Sequence, residues 1–460
     1  MTPGGPSAPL PGADEARAEL HVGPAPSFWR TRAWWRRAGR TAMAVYVATV
    51  LAFVATVVVA RELGPAEFGT IVLAVGVATL FATFLDLTLE EAVIHHGYRA
   101  LADGDAAGVL GLIRASLLLD IGIGLVVSGI VAVLAVPLAD LASAGRLDPD
   151  LVRLAALVTL ASTADSTMSA VLQVAGRPDL RGWAMAGTNL ARLAGVLIAL
   201  QLGAAQAVIL AYAVGNAVGA AGQALVAWRL ARRRWGAGAG TLRVPIRELV
   251  RFGFQTSVTT SVTAAYGALI PVVLGRVGGS TAVGLFRVAL FPVLLVDAAS
   301  GPIRLVLLPE QARLSAEGDI EQLRGSIRAH VLAALAVGLP FVAAAWFALP
   351  WLLPFIFSTQ FEDAILPARI LLIVALVHLV GAWFKTLPAA IGKPQLRTAL
   401  SAFELVLMLT LLVVLGDNGA EGAAIALSVS AVAASVLAFA SVDVLLRSQR
   451  AALQSRAGAP

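Results

Sequence analysis

Arg192, Arg304 and Lys385 are cations set in runs of Ala, Leu, Val and Ile, and Asp120, Asp297 and Glu404 are carboxylates in the same kind of setting. An ionisable side chain at membrane depth costs several kcal/mol unless paired or hydrated, so each is a functional candidate. Asn189 and Arg192 are three residues apart, while Asp297, Ser300 and Arg304 follow at spacings of three and four. On helices those spacings place each set on one face. Arginine's planar fork can hold a phosphate by two parallel hydrogen bonds. A buried carboxylate can take up and release a proton, which makes Asp120, Asp297 and Glu404 candidates for ion coupling. The competing reading is structural: Arg192 and Arg304 pair with Asp120, Asp165 or Asp297 and hold helices together. His378, alone in an apolar run, reads as a packed, hydrogen-bonded side chain rather than a ligand.

The elements that carry these residues follow from composition. The chain has 460 residues, is 58% hydrophobic and 13% charged, and has a mean hydropathy of +0.84. An ordinary soluble domain is about 25% charged, so this is an integral membrane protein. The absence of cysteine excludes disulfides, Cys-ligated zinc and thiol chemistry. A helix crossing the hydrocarbon core needs about 20 apolar residues. Twelve segments meet that requirement, near residues 41–60, 70–94, 111–137, 151–174, 182–202, 206–228, 252–274, 284–308, 327–349, 364–387, 396–415 and 420–446. Asp120, Arg192, Asp297 and His378 then lie about 13–20 Å along their helices, near mid-membrane. Asp86, Glu90 and Glu91 close the second span at the headgroups, and Pro271, Pro292 and Pro302 are expected to kink spans seven and eight.

Residues 1–27 are rich in Pro, Gly and Ala, carry no apolar run that would make a signal peptide, and read as a disordered cytoplasmic tail. Residues 28–40, FWRTRAWWRRAGR, mix Trp with Arg and read as an interfacial helix on an anionic membrane surface. With the N-terminus inside, 25 of the 34 basic residues fall in inner segments. The positive-inside rule therefore puts both termini in the cytoplasm of a plasma-membrane protein. It also removes a nucleic-acid reading of the net charge of +6.

The chain repeats itself. Arg61, Gly64 and Gly69 in RELGPAEFG are matched 215 residues later by Arg276, Gly279 and Gly284 in RVGGSTAVG. DGDAAGVLGLIRA at 103–115 is matched by EGDIEQLRGSIRA at 317–329, and GRPDLR at 176–181 by GKPQLR at 392–397. Gly203 and Gly419 keep the same offset within a residue or two. The expected organisation is a six-helix bundle at 41–228, a basic cytoplasmic linker at 229–251, a second six-helix bundle at 252–446 and a tail at 447–460. Six spans per half make the repeats parallel, with a substrate expected between them and with one bundle rocking against the other.

These motifs resemble the polysaccharide flippases of the MATE-like superfamily. The resemblance rests on Arg-x-Leu-Gly-Pro-x-x-Phe-Gly from Arg61, Arg251-Phe252-Gly253, the Gly-rich turn from Gly275, LLPEQARLSAEGD at 307–319, Gly392-Lys393-Pro394 and GAEGAAIA at 419–426. It runs from about residue 40 to 447. It implies an all-α polytopic transporter of about 12 transmembrane helices that moves an undecaprenyl-pyrophosphate-linked oligosaccharide to the outer leaflet. A diphosphate head and hydrated sugar would need the cations and polar groups of Asn189, Arg192, Asp297, Ser300, Arg304 and Lys385. The family often has 14 spans. Members that flip lipid-linked peptidoglycan precursor carry basic residues within the first two spans, where this chain has only Arg40 at the inner end of the first.

No cofactor is expected, only coupling to H+ or Na+. Expected partners are the lipid-linked oligosaccharide, membrane lipids, and a polysaccharide polymerase or glycosyltransferases; a monomer is expected. A P-loop is missing, GGSTA at 278–282 lacks the closing Gly of a serine-hydrolase elbow, and adjacent His95 and His96 have the wrong spacing for a helical metal pair. A polysaccharide polymerase would need a large outer loop, and the longest outer connections here, 138–151 and 350–363, are short. An ion-coupled small-molecule or drug exporter is the main alternative, and GYRALADGD at 97–105 faintly resembles the loop after span two of the major-facilitator carriers. A transporter-like scaffold is a weaker alternative.

Overall fold

In the computed structural model of the chain, the described residues are 32–85, 89–236, 240–317 and 319–457. The tail at 1–27 and the first residues of the interfacial helix lie outside them. Among the described residues all regular elements are helical: α1 (Arg32–Leu85), α2 (Glu90–Ala102), α3 (Ala106–Val133), α4 (Ala135–Ser143), α5 (Pro149–Ser162), α6 (Asp165–Val174), α7 (Pro178–Ala199), α8 (Ala205–Trp235), α9 (Ile246–Ala289), α10 (Phe291–Glu317), α11 (Ile320–Phe357), α12 (Ile365–Val380), α13 (Leu387–Ala390), α14 (Pro394–Leu415) and α15 (Gly419–Ala457).

Among the described residues nine stretches are long and apolar enough to cross a membrane. Two of them, Gly39–Thr83 and Gln395–Leu445, have 45 and 51 residues, more than twice the about 20 that one crossing needs. Each is interrupted: the first by Gly64, the second by the 3₁₀ turn Gly416–Asn418. The chain is thus an all-α, multi-pass membrane protein. An interruption with no expectation in the sequence falls at Thr163–Ala164 between α5 and α6, whereas the break at Leu290 between α9 and α10 lies in the eighth expected span, where the sequence predicts a kink at Pro292. Pro292 sits in the first turn after the second break, while Pro271 lies inside α9, whose non-helical residue is Gly279. The side chain at Pro302 is outside the described residues.

The repeated motifs occupy equivalent local structures. Asp105 and Asp319 are N-caps of α3 and α11, each accepting a backbone N–H at 2.9 Å, from Gly108 and Gln322. Pro178 and Pro394 open α7 and α14 at the position where a helix needs no N–H. Gly64 and Gly279 break α1 and α9 with nearly the same backbone, φ 72°, ψ 176° and φ 82°, ψ 175°, a region that only glycine enters freely.

The chain divides into two compact units. The first comprises Met1–Val58, Ala78–Leu138 and Pro149–Ser261; the second comprises Val59–Val77, Ala139–Asp148 and Val262–Pro460. In the second unit the two copies of the repeated turn meet. A methyl group on Gly69 would fall 1.8 Å from the Ser280 carbonyl oxygen, and one on Gly284 would fall 2.1 Å from that of Pro65. The contacts are reciprocal, since Ser280 lies 215 residues after Pro65. The arginines beside them are exchanged in the same way. Arg61 donates to the carbonyls of Phe355 and Ile356 at 2.7 and 3.1 Å, and Arg276 donates to that of Asp140, again 215 residues before Phe355, at 3.2 Å.

In the first unit, the segment that connects the repeats lies against α2 and α3. Thr241 N–H donates to Ala107 O at 3.1 Å and Arg243 pairs with Asp105 at 2.8 Å. Leu242, Val244, Leu249 and Phe252 pack on Ala92, Leu112 and Ala115. The basic linker is therefore a strap with an apolar underside.

Candidate functional site

Two groups of charges are held within the helices, one in each unit. In the second unit, α10 carries Asp297, α12 carries His378 in its last turn, and the 3₁₀ segment Gly381–Lys385 carries Lys385. The tighter winding after α12 brings Lys385 round to the side on which His378 lies. Asp297 accepts from His378 Nδ1 at 3.1 Å and from Lys385 Nζ at 3.4 Å. The segment is fixed from behind: Trp383 is buried in a core with Leu314, Leu323, Leu387 and Val442, and Thr386 donates to Gln311 at 2.7 Å. About a third of the Asp297 and Lys385 side chains stays exposed, at 33% and 37%. The cluster is therefore a closed charge pair that a competing anion or cation can reach.

In the first unit, α7 carries Asn189 and Arg192. Arg192 lies over the ring of Tyr212 on α8, with 4.5 Å from guanidinium carbon to ring centre. Gly215 allows this approach, because a methyl there would sit 2.5 Å from Arg192 Cγ. Arg192 Nε is buried without a hydrogen-bond partner, and no carboxylate among the described residues pairs with the group. Asn189 donates to Ala48 O at 3.0 Å and ties α7 to α1. Asp120 on α3 is buried and accepts from the Ser166 hydroxyl at 2.8 Å and from Thr167 N–H at 3.3 Å.

Among the expected site residues, the structure thus brings Asp297 and Lys385 together. Ser300 shares their helix but turns its hydroxyl to Val296 O at 2.7 Å, on its own helix. The Arg304 side chain lies outside the described residues. Glu404 is half-buried on α14. Near the ends of the spans, Glu90 takes Arg181 at 2.8 Å and Gln173 at 2.7 Å, as a structural brace. His378 was legible as a hydrogen-bonded side chain but not as the partner of Asp297, 81 residues away. The Tyr212 contact and the role of Ser166 and Thr167 had no signal in the sequence beyond a polar pair in an apolar run. Among the described residues no three His, Cys, Asp or Glu gather as a metal centre.

A helical bundle of this kind shares its fold with solved membrane transporters and a flippase. The model of the family described as polysaccharide biosynthesis protein matches residues 34–314, and the chain belongs to that family. No curated protein matches it. Among solved structures, an inward-facing multidrug resistance MATE family transporter of the MOP superfamily aligns with a TM-score of 0.70 at 16% identity, over 87% of this chain and 95% of that one. The lipid II flippase MurJ in an inward closed conformation aligns with a TM-score of 0.67 at 13% identity, over 88% and 87%. A MOP superfamily transporter from Pyrococcus furiosus gives 0.60 at 17%, over 89% and 95%. These likenesses establish the fold.

Proposed function

We propose that the chain is a flippase that moves a lipid-linked oligosaccharide, carried on undecaprenyl pyrophosphate, from the cytoplasmic to the outer leaflet for cell-surface polysaccharide synthesis. Family membership supports the saccharide pathway. The observation that supports an anionic cargo is Arg192: a guanidinium at mid-span, stacked on Tyr212 and with no carboxylate partner among the described residues. An unpaired cation in that setting is costly unless it meets an anion, and a diphosphate is the anion that its fork fits. Lys385 is the second cation, released to the cargo when the Asp297 pair opens. Movement is by alternating access of two parallel repeats, with both termini cytoplasmic as the distribution of arginines indicates. The working unit is a monomer that receives its cargo from glycosyltransferases and delivers it to a polymerase.

The test is deletion of the gene followed by measurement of radiolabelled lipid-linked saccharides on each side of the membrane. The expected result is accumulation on the cytoplasmic face, reversed by the wild-type gene and only weakly by Arg192→Ala or Arg304→Ala. An unchanged lipid pool, with altered accumulation of small cationic dyes, would overturn this reading in favour of a drug exporter.

A further inference from the structure

The loops GRPDLR at 176–181 and GKPQLR at 392–397 share one backbone and differ in charge. Gly176 and Gly392 have φ 68° and 71°, and the residues after them, Arg177 and Lys393, lie at φ −125°, ψ 57° and φ −123°, ψ 58°. Each donates its N–H to the carbonyl five residues back, Arg177 to Leu172 at 2.9 Å and Lys393 to Pro388 at 2.7 Å. In the first copy the cations are neutralised: Arg177 pairs with Asp179 at 2.9 Å and Arg181 with Glu90 at 2.8 Å. At the offset of 216 that aligns the loops, Asp179 falls on Gln395 and Glu90 on Val306. The second copy therefore keeps both cations, as Lys393 and Arg397, and drops both acids. Lys393, Gln395 and Arg397 are exposed, and among the described residues no carboxylate pairs with either cation. Arg397 lies 3.5 Å from Lys385 O, on the 3₁₀ segment whose ammonium Asp297 holds.

We propose that Lys393 and Arg397 form a docking site, on the cytoplasmic side, for the diphosphate head of a lipid-linked cargo, and that Lys385 receives the head from it. This rests on the cargo reading above and names where that cargo first binds. Two uncompensated cations across one helical turn repel each other, so the arrangement gains from an anion that meets both. The arginine fork suits one phosphate by two hydrogen bonds, and the ammonium suits the other as a point charge. A phosphodiester headgroup brings a single negative charge and balances only one of the two. Exposure lets the head arrive partly hydrated, which keeps its desolvation cost low. The paired copy at 176–181 has the same backbone and no surplus charge, so the turn serves architecture in both halves and binding in one.

The test uses the full chain in nanodiscs of zwitterionic phosphatidylcholine and equilibrium binding of radiolabelled undecaprenyl pyrophosphate. Wild type is expected to bind saturably, with displacement by the unlabelled lipid and much weaker displacement by phosphatidylglycerol. Gln395→Asp rebuilds the first copy's ion pair and removes no cation, and is expected to weaken binding about fivefold with unchanged Tm. The double variant Lys393→Ala, Arg397→Ala is expected to weaken it about tenfold or more. Arg177→Ala, in the paired copy, is expected to bind as wild type does. Undiminished binding by both loop variants would overturn this site; with loss in Arg192→Ala beside it, the cargo reading would stand. No binding by folded wild type would remove the site and the cargo reading together. Equal displacement by phosphatidylglycerol would make the patch a general anionic-lipid surface and overturn the proposal equally.

Discussion

Arg61 and Arg276 perform the same task in opposite copies of the repeat, each donating to a carbonyl at the equivalent place in the other copy. Asp120 and Asp297 share depth and chemistry but nothing else: one meets only neutral donors, the other His378 and Lys385. At the repeat offset of 215, Asp120 falls on Leu335 and Asp297 on Ala82. At the 216 that aligns GRPDLR with GKPQLR, Arg192 falls on Met408. The repeated residues build the turns that both halves need for architecture. The unrepeated charges break the symmetry, and under the proposed function they are where a cargo is met.

The largest effect is expected where symmetry is tightest. Gly69→Val and Gly284→Val each push a Cβ into a carbonyl, at 1.8 and 2.1 Å, and each is expected to cost about 3 kcal/mol or more, since backbone must move. The surviving monodisperse fraction and Tm in detergent check this; tolerance at one glycine alone would break the symmetric account. Next comes Arg192→Ala, expected to lower cargo movement about tenfold while leaving Tm within a few degrees, because the group makes no ion pair to lose. Arg192→Lys should restore only part, because ammonium lacks the two-pronged fork.

Asp297→Asn is expected to cost about 1–2 kcal/mol in sodium-free buffer, a figure reduced for the third of the side chain that water reaches. Asp120→Asn should cost less under the same conditions, because an amide oxygen can still accept from Ser166 and Thr167. Equal losses would remove the distinction between the two carboxylates. Arg61→Ala and Arg276→Ala should each cost about 0.5–1 kcal/mol, alike within error, as exposed side chains bonded to carbonyls.

The smallest effect is a pH dependence. His96, outside the spans, is buried against Phe252 and His95, and burial first, then the neighbouring His95, lowers its pKa from the usual 6.5. The unfolded chain therefore takes up the proton first as pH falls. Stability is full above the usual histidine pKa and declines as pH drops from there toward the lowered folded value. His96→Leu should flatten a Tm profile recorded over that window.

Much of the fold was legible because two signals are strong: apolar runs of spanning length, and Gly, Pro and Asp landmarks whose backbone roles demand those residues. The break at Thr163–Ala164 carried neither Gly nor Pro, and emerges from side chains on α3 and α8 that compete for its backbone and flanks. Helical spacing put Asp297 and Ser300 on one face correctly, yet spacing does not fix a rotamer, and the Ser300 hydroxyl is spent on its own helix. The joining of Asp297 to His378 and Lys385 is tertiary, across 81 and 88 residues, and depends on the 3₁₀ winding after α12. Arg192 was identifiable as a charge out of place; its partner Tyr212 was not, because an aromatic ring in a membrane helix is unremarkable in a sequence.

The most direct measurement reconstitutes the purified chain in liposomes and follows a fluorescently labelled undecaprenyl-pyrophosphate oligosaccharide across the bilayer by quenching from one side. Wild type is expected to move the label protein-dependently, and Arg192→Ala, with unchanged Tm, to move it about ten times more slowly. No movement by folded wild type, or equal movement by Arg192→Ala, would contradict the claim that unrepeated cations at mid-span carry an anionic lipid-linked cargo.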